Sequence, residues 1–198
     1  MMKSMCVLAR RADFSREQFQ AYYEDHHAPL GVQHFPFARY VRNHLLDAPE
    51  IGFDTISEFW AEDISALGAL MEGPVGELLG EDERRFMDQS KIAPAGSAEQ
   101  VLSSGVVDGE RYAVLINWPG SNPPAFLAQW AAKVASRVAG VSLDITTPWR
   151  QPAFPAQAIL WAPNKFVLAD IPKDFAARII RVRRIETNPQ VLTQAYLS

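Results

Sequence analysis

"DTISEFW", residues 54–60, reads as a β-strand, and its two faces decide the fold. Alternation places Ile56, Glu58 and Trp60 on one face and Thr55, Ser57 and Phe59 on the other. Neither set is cleanly solvent-like. "MCVLA" (5–9) and "YAVLI" (112–116) are apolar on both faces. A sheet covered on one side only would alternate apolar with polar. The second face must therefore also be covered, most simply by another sheet. Two four-stranded sheets facing each other would enclose a barrel-like core.

The flanking segments fit that picture. "MCVLA" is a first strand, and "DFSREQF" starts a helix, with Ser15 and Gln18 forming a capping box. Phe19, Tyr22, Tyr23, His26 and Leu30 fall on one helical stripe. Pro29 disfavours helical geometry at Ala28, so the helix is expected to end or kink there. "ARYVRNHLL" (38–46) and residues 54–61 are strands, 62–90 is helical in two pieces broken at "EGPVG", and "AEQVLSS" (98–104) is a fourth strand. The order β-α-β-β-α-β is ferredoxin-like.

After a linker, "VVDGE" (106–110), a similar pass begins. "RYAVLINW" is a strand and "PPAFLAQWAAKVASRVAG" (123–140) a helix with prolines at its start and Gly140 at its end. "VSLDITT", "AQAILWA" and "ARIIRVRRI" follow as strands, with a poorly periodic segment (164–175) where a second helix is expected. The predicted fold class is α+β: two ferredoxin-like halves in tandem, residues 1–105 and 106–198, the second degenerate, forming one intrachain barrel.

Composition excludes several function classes. Hydrophobic residues make up 48% and charged residues 21%, so the chain is globular and not disordered. A net charge of −4 with no basic cluster longer than "RVRR" (181–184) argues against a nucleic-acid partner. No apolar stretch approaches the roughly 20 residues of a membrane span. The N-terminal apolar run is cut by Arg10 and Arg11, unlike a signal peptide, and Cys6 is a lone cysteine, which together give a cytoplasmic expectation.

"HHAPL" (26–30), "YVRN" (40–43), "DTISEFW", "GP" (73–74) and "EDERRFMD" (81–88) stand in the order and at the intervals of the EthD-like family of the dimeric α+β barrel superfamily, which the first 100 residues or so resemble. The resemblance implies a ferredoxin-like half whose sheet pairs with a second sheet, from another subunit in most members and from residues 107–198 here. It also implies a pocket for a small, mostly apolar or aromatic molecule. Superfamily relatives include cofactor-free monooxygenases, isomerases, dehydratases, decarboxylases and haem peroxidases, so the fold does not fix the chemistry. The second half has no histidine and no H-x-P-L, which leaves at most one full site per pair of sheets.

His27 holds the family's histidine position and suits acid/base work; it equally suits capping a helix end. His26 is a second candidate, either against the ligand or as a semi-buried packing residue, and a disturbed register at Pro29 could exchange the two. Tyr40 and Glu58 are candidate catalytic groups that orient a substrate. Tyr40 could instead fill the core. Glu58 would have a raised pKa in a pocket, or would pair with Arg10 or Arg42. Tyr23, Asn43 and Trp60 are expected against the ligand, with Asn43 on the opposite strand face from Tyr40. The five tryptophans could line one aromatic pocket or pack the core.

Adjacent histidines diverge by about 100° on a helix and no i, i+4 pair exists, so no metal site is expected. Haem would need a proximal ligand and a larger pocket, and neither is announced, so no cofactor is expected. The expected function is a cofactor-free proton-transfer enzyme, of dehydratase, isomerase or monooxygenase type, acting on an aromatic or polyketide-like compound. The rival is a non-catalytic small-molecule binding or structural barrel. A one-chain barrel leaves room for a homodimer through its outer helices.

Overall fold

The computed structural model describes residues 1–105, 107–164 and 171–194, with side chains described as far as Leu192. Among the described residues eight strands are formed: β1 (Met2–Leu8), β2 (Arg39–Leu45), β3 (Thr55–Ala61), β4 (Ala93–Ser103), β5 (Gly109–Asn117), β6 (Val141–Pro148), β7 (Ala158–Ala162) and β8 (Ala176–Glu186). They close into one antiparallel barrel in the order β1-β3-β2-β8-β5-β7-β6-β4, with β4 returning to β1. Two arcs make up the ring, β4-β1-β3-β2 and β8-β5-β7-β6. In each arc the strands run fourth, first, third, second in chain order. The seams are β2 on β8, with Asn43 opposite Arg184, and β4 on β6, with Glu99 opposite Asp144.

The covered second face predicted from "DTISEFW" is present. Ile56, Glu58 and Trp60 point into the barrel, while Thr55 and Ser57 are fully buried beneath helices outside it. The barrel floor is apolar: Met5, Val7, Leu45, Ile56, Leu115, Ile159, Trp161, Ile180 and Val182 form one core. Ala95 and Ala113 in that core leave room for the Trp161 indole, so the interior at this end is packed solid, as expected for eight strands.

Helices cover the outer face of both arcs. On the first arc lie α1 (Arg16–Tyr22), α2 (Ala28–His34), α3 (Ile64–Met71) and α4 (Pro74–Phe86). The break at "EGPVG" is a close crossing. A Cβ on Gly76 would fall 1.9 Å from the carbonyl oxygen of Met71, so only glycine lets α4 approach the end of α3. On the second arc, α5 (Ala125–Ala135) lays Leu127, Trp130 and Val134 against Val114, Ile116, Leu143 and Leu160. A short α6 (Pro189–Gln194) follows β8.

Several expectations need correction. The first helix does not stop at Ala28. Residues Tyr23–His27 form a π-helical turn in which the Ala28 amide donates to the Tyr23 carbonyl, and the chain continues as α2. The wider turn accommodates Pro29, which has no amide to give. The fourth strand begins at Ala93, five residues earlier than "AEQVLSS" suggested, and α5 stops at Ala135, well short of Gly140. Within the poorly periodic segment 164–175, residues 165–170 lie outside the described residues.

Candidate functional site

Strand alternation and barrel closure together build a charged layer above the apolar floor. Lys3, Asn43, Glu58, Arg111 and Asp144 come from five different strands and are all buried. The Lys3 ammonium lies 2.8 Å from Glu58 Oε2, 2.9 Å from Glu99 Oε1 and 2.7 Å from Asp144 Oδ2. Glu58 Oε1 accepts from Asn43 Nδ2 at 2.8 Å and from Arg111 Nη2. Arg111 Nε in turn donates to Asn43 Oδ1 at 2.9 Å. Asp144 also accepts from Ser97 Oγ at 2.6 Å and Trp161 Nε1 at 2.7 Å, and Trp60 Nε1 donates to Glu99 Oε2 at 3.0 Å. The Arg111 guanidinium rests 3.7 Å from the centre of the Trp161 ring.

Two cations and two carboxylates buried together, with the half-buried Glu99 beside them, are tolerable only because their charges alternate and each carboxylate oxygen accepts a bond. Burial pushes the Glu58 carboxyl up, but Arg111 and Lys3 outweigh it and bring it down to about 2. The raised pKa expected for Glu58 is therefore overturned: its partners are cations within the barrel. They are neither of the arginines named from sequence, since Arg10 pairs with Asp54 and Arg42 with Glu24. Burial likewise opposes charge on Lys3, yet Glu58, Asp144 and Glu99 raise its pKa. Asp144 moves the other way: burial and the Glu58 charge raise its pKa from the ordinary value against the pull of Lys3. The carboxylate oxygens of Glu58, Glu99 and Asp144 lie within 4.8 Å of one another, a grouping that could ligate a cation. The Lys3 ammonium already occupies that position, so a metal would have to displace it.

Above this layer the barrel opens into a cavity of about 660 Å³, lined by Arg39, Glu58, Trp60, Glu99, Arg111 and Arg184 among others. That volume suits a small organic molecule. Arg184 on β8 is buried and bonds Glu186, which Arg39 also holds at 2.8 Å.

The other predicted residues lie on the opposite side of the sheet. Tyr23 is buried in the outer helix layer, its hydroxyl 2.8 Å from both the Tyr40 hydroxyl and Ser57 Oγ. Burial raises the pKa of both tyrosines. His27 Nδ1 meets Asp82 Oδ2 at 2.9 Å, and Tyr22 donates to Asp82 Oδ1 at 2.7 Å. Burial opposes ionisation of Asp82, but the hydrogen bonds from His27 and Tyr22 prevail and lower its pKa. The π turn sets the histidines' directions. It stacks His27 on Tyr23, ring centres 5.1 Å apart, and turns His26 out to solvent beside Tyr22. His26 is thus exposed, not the semi-buried residue of the stripe.

The structure therefore divides the predicted set. Glu58, Asn43 and Trp60 meet at the barrel mouth, whereas His27, Tyr40, Tyr23 and His26 belong to the helix layer, with a sheet between. The tryptophans do not share one pocket either. Trp60 and Trp161 are inside, Trp118 and Trp130 belong to the apolar layer between α5 and the sheet, and Trp149 is exposed. Sequence reasoning missed Lys3, Arg111, Asp144 and Arg184. One signal was available for three of them: each is a charge on the inward face of a strand beside apolar inward residues, Lys3 before Met5 and Val7, Arg111 before Ala113 and Leu115, and Arg184 after Ile180 and Val182.

Comparison with known proteins agrees with the fold. No curated protein matches the chain. Over 94% of its length it resembles an anthrone oxidase-like protein (92% of that chain, 8% identity, TM-score 0.54). Over 95% it resembles a protein proposed to be a monooxygenase from Lactobacillus acidophilus (96% of that chain, 9% identity, TM-score 0.53). An EthD family protein from Bacillus halodurans matches 48% of this chain and 94% of its own, at 21% identity and TM-score 0.39. The family model of the EthD domain matches residues 11–90. The stretch matched, residues 11–90, carries the π turn, His27, Glu58 and Asp82, and is the part of the chain that is similar to an EthD domain.

Proposed function

We propose that this chain is a small-molecule enzyme that binds its substrate at the open end of the barrel and acts by proton transfer through its own side chains. The observation that carries this reading is the cavity of about 660 Å³ set directly on a cross-bonded charge layer. Such a layer is preorganised: its donors need no rearrangement when charge develops on a substrate. Arg111 would face a developing oxyanion. Glu58 and Asn43 would position Arg111 and not exchange protons, because Glu58 stays ionised down to about pH 2. Glu99, a cavity-lining carboxylate that is only partly buried, would be the base. An aromatic or polyketide-like compound, transformed by isomerisation, dehydration or cofactor-free oxygenation, fits the cavity and the names of the neighbours. The repeated strand order in the two arcs supports reading residues 1–105 and 106–198 as tandem ferredoxin-like halves, the second without the EthD residues.

The test is a screen of aromatic acids and polyketides by thermal shift, followed by product analysis with wild type and Glu99→Gln. Binding kept and turnover lost in Glu99→Gln is the expected result. Turnover unchanged in that variant would remove Glu99 as the base. A second reading places the chemistry at His27, because its pairing with Asp82 fixes one ring nitrogen and leaves Nε2 for proton exchange. His27→Ala separates the two: turnover is retained if the mouth is the site and lost if the helix layer is.

A further inference from the structure

We infer that the barrel mouth is an oxyanion-binding site, taking a small molecule that bears a carboxylate or phenolate on the Arg184 and Arg111 guanidiniums. This rests on the mouth being the ligand site and adds the ligand's charge. The argument is an inventory of hydrogen-bonding capacity around the cavity. The buried and half-buried carboxylates are already served. Glu58 takes bonds from Asn43, Arg111 and Lys3, Glu99 from Lys3 and Trp60, and Glu186 from Arg39 and Arg184. The spare capacity is in donors. A guanidinium carries five N–H groups. Among the described residues, the side chain of Arg184 bonds only Glu186, and that of Arg111 only Asn43 and Glu58. Both arginine side chains are more than nine-tenths buried, at 7% and 8% exposure, and both line the cavity.

Three further observations give the sign. Arg184 and Arg111 are near enough to repel, which with burial lowers the pKa of Arg111. An anion between them would relieve that repulsion. The Trp60 ring, the aromatic surface that might otherwise attract a cationic ligand, already has Lys3 Nζ at 4.6 Å and Arg39 Cζ at 4.4 Å from its centre. Glu186 shows the kind of group the arginines accept: a carboxylate held jointly by Arg39 and Arg184 at the rim. It is one strand residue, partly exposed, and an entering carboxylate would share or replace its bonds.

The experiment is calorimetric titration of the full chain at neutral pH with 2-naphthoate, its neutral amide 2-naphthamide, and naphthylmethyl-trimethylammonium. The naphthoate is expected to bind at least about tenfold more tightly than either isostere, the size of one charge-assisted bond. Arg184→Gln should weaken naphthoate by about tenfold or more and leave naphthamide unchanged. Glu186→Gln, which removes the resident carboxylate, should tighten naphthoate, and this keeps the idea testable if Arg184→Gln fails to fold. Equal binding of the amide, preference for the ammonium compound, or indifference of naphthoate to both substitutions would overturn the ligand class while leaving the mouth as a binding site. Failure of every compound to bind would overturn both.

Discussion

The two helix layers that flank the barrel are built from different materials. Over the first arc Phe19, Val32, Phe37, Leu79 and Phe86 pack around a buried polar network. Tyr23, Tyr40 and Ser57 share hydroxyl bonds, Glu24 joins His44 at 2.6 Å and Arg42 at 2.6 Å, and Asp82 joins His27 and Tyr22. Over the second arc the layer is apolar: Val114, Ile116, Leu127, Trp130, Leu143, Leu160 and Phe175. Two of its indole N–H groups, on Trp118 and Trp130, are buried with no hydrogen-bond partner among the described residues. Both layers supply volume, and the first adds directional bonds that specify geometry. What the second arc adds to the candidate site is on its inner face, where it provides Arg111, Asp144 and Arg184.

The sharpest way to break this contrast is at the layer that both arcs share. Lys3→Met removes the cation from among three carboxylates and is expected to cost about 3–5 kcal/mol, measured by urea unfolding. A loss below about 1 kcal/mol would mean the charge layer is not held together as described. Next come the volume effects. Leu160→Ala in the second layer is expected to cost about 2–5 kcal/mol. Tyr23→Phe in the first layer keeps its volume but strands the Tyr40 hydroxyl and Ser57, for about 1–3 kcal/mol. A Tyr23→Phe variant as stable as wild type would make the two layers equivalent.

Acid sharpens the comparison further. Glu58 and Glu24 both sit at about 2 in the folded chain, against an ordinary 4.5. A carboxyl depressed by folding stabilises fully above its unfolded value, and that stability is lost as pH falls toward the folded value. Stability should thus decline from about pH 4.5 toward 2, and Glu24→Gln should flatten the decline. The smallest effect is expected at the outer end of the first layer: Asp82→Asn keeps an oxygen for Tyr22 and weakens the bond to His27, for about 1 kcal/mol in denaturant titration.

Much of the architecture was legible from residue parity alone. "DTISEFW" showed two covered faces, and Tyr40 and Asn43 fall on opposite faces as their odd separation requires. The capping box at Ser15 and Gln18 and the break before Pro74 formed as read. The partners of Glu58 were not legible. Lys3 is 55 residues away and Arg111 is 53, and a carboxylate's choice among distant cations depends on the ring closure that brings β1 and β5 into line with it. Parity says which face a residue takes but not which neighbours the barrel sets across from it. Nor was the π turn legible, because the extra residue that swaps His26 and His27 leaves no mark in an amphipathic pattern.

One property of the ring bears on how this protein behaves in a crowded solution. Among the described residues every strand has a hydrogen-bonded neighbour on each side, so the ring offers no edge strand to a passing chain. The seams that a paired-subunit barrel would recruit from a second molecule are here satisfied within one polypeptide. Dilution should leave them intact, and recruitment of further copies by strand addition would first require prising one of them apart.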